Sequence, residues 1–144
     1  MNFKEINPNN EVEWLELRRN VLTATDMGVI LGLNPWKSVS ELVAGKEEVK
    51  IIDNSYIWLG QTLEPVVVEA VNKMLSTNFK LLDSEGKRSF FVDKKLGLGA
   101  TPDAGDGTYL LECKSTRPGN YLRWHGWPPS YYIAQLYKIG RAHV

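Results

Sequence analysis

One cysteine, Cys113, and two histidines, His125 and His143, are the whole supply of thiol and imidazole in 144 residues. A single cysteine excludes a disulfide framework and any centre held by several thiolates, an iron–sulfur cluster included. So few histidines leave no material for a His-based metal site or a nucleophile–His–acid triad. Long hydrophobic runs are absent too, and nothing approaches the roughly 20 apolar residues of a membrane helix. The start, Met1-Asn2-Phe3-Lys4-Glu5-Ile6-Asn7-Pro8, lacks the basic-then-apolar pattern of a secretory signal. The expectation is a soluble protein of the cytoplasm with no membrane partner. An excess of either charge is also missing, since 17 Lys and Arg stand against 17 Asp and Glu. This balance argues against a protein that simply coats nucleic acid. It does not argue against an enzyme acting on DNA, whose carboxylates for metal ions would offset basic residues elsewhere.

The composition is 43% hydrophobic and 24% charged, which excludes a disordered or low-complexity chain and suits one folded domain. The first half reads helical. Asn10 with Glu13 is a capping-box pattern, followed by Trp14, Leu15, Leu17, Val21 and Leu22, with Arg18 and Arg19 near the helix end. Thr23 or Thr25 caps a short helix through Ile30, stopped by Gly32. Ser38 with Glu41 is a second capping box, for a helix ending at Gly45. Residues 46–53 read as a charged connector. Asn54 then caps a longer helix to about Leu75, where Pro65 should bend the helix or start a new segment.

The second half changes period. Strand candidates fall at 78–82, 89–92, 98–101 and 108–114, and Gly105-Asp106-Gly107 reads as the hairpin turn between the last two. Pro118-Gly119 breaks the chain, and 130–138 form a short aromatic helix. This order predicts an α+β domain with a small, mostly antiparallel sheet. Residues 1–138 read as that domain. Ile139-Gly140-Arg141-Ala142-His143-Val144 matches one frame of a common sequencing adapter and reads as an added tail, so the domain is expected to be incomplete at its C-terminus.

The chemistry centres on Thr101-Pro102-Asp103 and Glu112-Cys113-Lys114. Alternation along a strand puts Glu112 and Lys114 on one face, and the hairpin brings Asp103 beside Glu112. Two carboxylates and an ammonium then share a face. Carboxylates are hard ligands suited to Mg²⁺, which polarises a phosphoryl oxygen and acidifies bound water. Lys114 can orient or deprotonate that water, and the backbone carbonyl of Cys113 can add a ligand while its thiol packs inward. Taken alone, a surface Glu–Lys pair explains the motif equally well. Glu64, one turn after Gly60, can lean over the sheet as a further ligand; the alternative is a solvated helix face. Asp93 is a further carboxylate, or an ordinary strand-end turn residue. Arg18 and Thr25 can hold a phosphate between a guanidinium fork and a helix N-terminus. Trp14 and Trp58 read as core. Trp124 and Trp127, near Arg123 and His125, suit DNA or subunit contact or simple packing.

In register, these elements resemble the lambda-exonuclease and YqaJ-type viral recombinase family, a branch of the PD-(D/E)XK nucleases. The motifs are Trp14-Leu15-Glu16-Leu17-Arg18, Leu22-Thr23-Ala24-Thr25-Asp26, Ile30-Leu31-Gly32, Asn34-Pro35-Trp36, Gly60 to Glu64, Ala100-Thr101-Pro102-Asp103, Leu111-Glu112-Cys113-Lys114, and Tyr132-Ile133-Ala134-Gln135 after Pro128-Pro129. The resemblance implies a restriction-endonuclease-like core, a central mixed sheet flanked by helices. It implies Glu64, Asp103 and Glu112 as acidic ligands of Mg²⁺ or Mn²⁺, with Asp93 a weaker match. Lys114 would be the catalytic lysine, Gln135 a support for the site, and Arg18 and Thr25 the grip on a DNA-end phosphate. The implied activity is 5′→3′ digestion of double-stranded DNA ends in phage-type recombination, in the cytoplasm of a bacterial host. A single-strand annealing protein and a homo-oligomeric ring are the implied partners. Tyr137 departs from the family's second glutamine, and the chain stops where the family adds more sheet and helix. A related endonuclease and a DNA-binding or non-functional fragment without turnover are the alternatives.

Overall fold

Local capping chemistry starts the helices where the pattern places them. In the computed structural model, which describes residues 3–47, 55–84 and 87–142, the Asn10 side chain accepts the Glu13 amide at 3.0 Å and opens α1 (Glu11–Arg19). Strand β1 (Lys4–Ile6) precedes it, and β2 (Leu22–Thr23) follows. The Asp26 carboxylate accepts the Thr23 amide at 2.7 Å across a single 3₁₀ turn, Ala24–Asp26, so Thr23 rather than Thr25 stands at the cap. That turn runs into α2 (Met27–Ile30). Ser38 and Glu41 exchange hydrogen bonds as a capping box ahead of α3 (Val39–Glu47). This helix passes through Gly45 instead of stopping there. Helix α4 (Ser55–Leu75) passes through Pro65, which forgoes only the one hydrogen bond a proline cannot donate. Its expected cap, Asn54, and most of the 46–53 connector lie outside the described residues, as does His143.

Apart from the one at 90–93, the strands are shorter than their patterns suggest. They are β3 (Lys80–Leu81), β4 (Asp83–Ser84), β5 (Lys87–Arg88), β6 (Phe90–Asp93), β7 (Leu98–Ala100), β8 (Ala104–Gly105) and β9 (Leu110–Leu111). One sheet has the order β1-β6-β7-β2, antiparallel except for the parallel β7–β2 pair. A second, antiparallel sheet has the order β3-β8-β9, and β4 pairs with β5 as a hairpin. The fold is thus a mixed sheet flanked by helices. The partner of β9 is β8, not the 98–101 strand, and 112–114 continue as extended chain beyond the β9 pairing. Pro118-Gly119 starts a helix instead of breaking the chain. Pro118 sits in the first turn of α5 (Pro118–Arg123), where its missing N–H costs nothing.

Gly99 shows how tightly the first sheet is packed. A Cβ there would come within 2.5 Å of the Phe90 ring and 2.7 Å of Val21. Its absence lets Phe90 reach 0% exposure. Helix α6 (Ser130–Ala142) covers this sheet and packs on α2 and the 3₁₀ turn. It runs on past residue 138, and Ile139, 2% exposed, joins Ala24 and Ala100 in the core, with Phe3, Phe91 and Leu110 against them. Trp58, expected in the core, is 63% exposed on α4. No helix of the described residues is long and apolar enough to cross a membrane.

Candidate active site

Six parts of the chain converge on one cleft of about 310 Å³. Helix α1 supplies Trp14 and Arg18, and the 3₁₀ turn supplies Thr25. Helix α4 supplies Glu64, and the β4–β5 hairpin supplies Asp83 and Arg88. The segments flanking the β8–β9 hairpin supply Thr101, Asp103, Glu112, Cys113 and Lys114, and α6 supplies Gln135.

The hairpin register sets the centre. With Ala104 opposite Leu111, Asp103 faces the chain just past β9, and its carboxylate accepts the Cys113 amide at 2.5 Å. Glu112 Oε1 accepts from Lys114 Nζ at 2.5 Å and from Gln135 Nε2. Glu112 Oε2 is buried without a hydrogen-bond partner among the described residues. Burial raises the pKa of Glu112, with Lys114 opposing and the Asp103 charge adding. Burial likewise raises Asp103, against the pull of the Cys113 amide and of Lys114. Glu64 is pushed up to about 7, first by burial and then by the charges of Asp103 and Asp83. The Cys113 thiol, half-buried rather than sealed inside, is pushed up to about 11 by burial and then by the charges of Asp103, Glu64 and Glu112. A Cβ on Gly60 would sit 3.6 Å from Ser115 Oγ, an ordinary contact, so Glu64 reaches the cleft without needing that glycine.

A divalent cation suits this set. Three carboxylates offer hard oxygen donors, one buried oxygen lacks a partner among the described residues, and the pKa values, raised by burial and then by neighbouring charge, record a cost of ionisation that a cation would relieve. Among the described residues, no three or more His, Cys, Asp and Glu side chains are grouped closely enough to hold a metal ion as they stand. Glu64, Asp103 and Glu112 share the cleft without forming such a group.

Arg18 Nη2 donates to Thr25 Oγ1 at 3.1 Å, and Thr25 Oγ1 lies 3.0 Å from Thr23 Oγ1. Burial lowers the Arg18 pKa, and among the described residues Arg18 has no carboxylate in salt-bridge contact. Lys46 braces this wall. Its ammonium donates to the Arg18 and Val21 carbonyls at 2.9 Å each and pairs with Asp26 at 2.7 Å.

Asp93 is the exception among the expected site residues. It lies buried at the far end of β6, and its carboxylate accepts the Lys95 and Leu96 amides at 3.0 and 3.1 Å. It caps the β6–β7 turn and does not line the cleft. Glu64, Asp103, Glu112, Cys113, Lys114, Gln135, Arg18 and Thr25 all do. Sequence reasoning missed Asp83 and Arg88, which pair at 2.7 Å, and took Trp14 for core. Trp14 stands on the cleft wall, donating from Nε1 to Thr101 Oγ1 at 3.2 Å. Asp83 and Arg88 carried no signal beyond that of a charged turn.

Residues 13–138 match the family model of the YqaJ-like viral recombinase domain, a span that contains every cleft residue named above. No curated protein is similar enough to the chain to match it.

Proposed function

The chain belongs to the YqaJ-like viral recombinase domain family, and on that footing we propose that it is a nuclease hydrolysing DNA phosphodiesters with Mg²⁺, digesting double-stranded ends 5′→3′. The observation that carries this reading is the state of Glu112. One carboxylate oxygen is fixed by Lys114 and Gln135, while the other is buried and, among the described residues, unpartnered in a cleft shared with Glu64 and Asp103. Glu64, Asp103 and Glu112 would hold the metal. When bound, it supplies positive charge to the phosphoryl oxygens and lowers the pKa of a water.

The rest falls to the chain's own residues. Gln135 and Lys114 hold the Glu112 carboxylate in one orientation. The Lys114 ammonium, tethered at Glu112, orients the attacking water in line with the leaving 3′ oxygen and stabilises charge on the phosphate. Arg18 and Thr25 offer a guanidinium and a hydroxyl to a DNA-end phosphate. A desolvated guanidinium with no salt-bridged carboxylate among the described residues favours an anionic ligand. An anion site in the same cleft as the carboxylates favours an end-dependent enzyme over an endonuclease.

The test is digestion of a 5′-phosphorylated linear duplex beside a closed circle of the same sequence, with Mg²⁺ and then with EDTA. Loss of the linear DNA alone, stopped by EDTA, is the expected result. Equal cutting of the circle would replace the exonuclease reading with the endonuclease. A protein that melts cooperatively yet cuts neither would overturn the enzyme reading.

A further inference from the structure

Arg88 enters the cleft from the β4–β5 hairpin, on a part of the chain that the proposed mechanism does not use. Its guanidinium carbon lies 4.5 Å from the centre of the Trp14 ring, and that of Arg18 lies 4.5 Å from the same centre. One indole thus carries two guanidiniums. Trp14 is itself fixed by its hydrogen bond to Thr101. Arg88 is held at one point, where Nε donates to Asp83 Oδ2 at 2.7 Å. Among the described residues neither of its Nη nitrogens has a hydrogen-bond partner. Two cations held on one ring repel each other, and Arg88 is among the groups that lower the Arg18 pKa. Both guanidiniums line the same cleft as Thr25, and an anion bound there would relieve the repulsion.

We propose that Arg88 is a second guanidinium of the end-phosphate site, gripping a terminal phosphate monoester together with Arg18 and Thr25. The proposal rests on the nuclease reading and names the group that this site selects. Asp83 acts as a positioning residue. It takes Nε and leaves the Nη edge of the fork to the ligand. The donor set favours a monoester over an internal phosphodiester. A monoester near neutral pH carries close to two negative charges and three free oxygens, whereas a diester carries one charge and two free oxygens. Two forks and a hydroxyl use the third oxygen and the second charge; a diester leaves part of the site unsatisfied. A fork also differs from an ammonium here, because it meets two phosphate oxygens at once.

The test is equilibrium binding of two short blunt duplexes, one with 5′-phosphate ends and one with 5′-hydroxyl ends, to the full chain in EDTA. The wild type is expected to prefer the phosphorylated duplex. Arg88→Gln should reduce that preference about tenfold, the size of one lost charge-assisted contact. Arg88→Lys should recover only part of it. Should Arg88→Gln fail to fold, Asp83→Asn/Arg88→Gln removes both members of the pair, leaves no unpaired carboxylate, and is expected to lose the preference to the same degree. An unchanged preference in a folded variant would overturn the proposal. So would a wild type that digests linear DNA but binds both duplexes equally, and that result would leave the nuclease reading standing. A wild type that neither binds nor cuts DNA would remove the nuclease reading itself and the proposal with it.

Discussion

Replacing Glu64 by glutamine should make the metal-free protein more stable. The Glu64 carboxyl sits at about 7 against an ordinary value of 4.5 because burial and the charges of Asp103 and Asp83 disfavour its ionised form. At about 1.36 kcal/mol for each pKa unit, that difference corresponds to about 3.4 kcal/mol. Glu64 is only partly buried, and screening by water reduces this to about 1–2 kcal/mol. The sign follows from proton counting. Between pH 4.5 and 7 the folded chain holds a proton on Glu64 that the unfolded chain has lost, so stability falls as pH rises through that window. Below it the cost is absent, and above it the cost is complete. Glu64→Gln removes the cost. In EDTA at pH 8 the variant should melt about 3–6 °C above the wild type, and at pH 4.5 the two should nearly coincide. Added Mg²⁺ should raise the wild-type melting temperature and act weakly on the variant, since a ligand stabilises only what it binds. A variant less stable than wild type at pH 8, or equally shifted at both pH values, would refute the reasoning.

Two further substitutions probe the frame around the cleft. Gly99→Ala places a methyl group within 2.5 Å of the Phe90 ring and should cost about 2–3 kcal/mol in a denaturant titration. Lys138, whose ammonium donates to the Leu22 carbonyl, is pushed down by burial from 10.5 to about 8. Between those values the unfolded chain binds the extra proton, so this lysine makes stability rise with pH from about 8 to 10.5. Lys138→Met should flatten that rise in melts recorded across the range.

The central motif was legible because strand alternation and one short turn determine it. Glu112 and Lys114 are two residues apart on extended chain, and the Gly105-Asp106-Gly107 turn brings Asp103 to the Cys113 amide. Capping was legible for the same local reason, as Asn10 and the Ser38–Glu41 pair show. Asp93 stayed open between site and turn because a carboxylate ending a strand has two equally local uses. Here the amides of Lys95 and Leu96 take it for the turn. Arg88 and Asp83 were invisible because a hairpin of charged residues has the composition of any solvated turn. Only its packing beside Trp14, 74 positions away along the chain from Arg88, places it on the cleft. Trp14 looked like core because an indole in an apolar helical pattern usually is. Its hydrogen bond to Thr101 depends on a partner from the other half of the fold.

The most direct test of the account is single-turnover cleavage of a 5′-phosphorylated linear duplex in Mg²⁺ by wild type and by Lys114→Ala, with thermal melts of both recorded in parallel. The ammonium that pairs with Glu112 at 2.5 Å is the group assigned to the attacking water. With both proteins folded, the rate should fall about 10²–10³-fold in the variant. A folded Lys114→Ala protein cutting at the wild-type rate would contradict the assignment of this cleft as the active site.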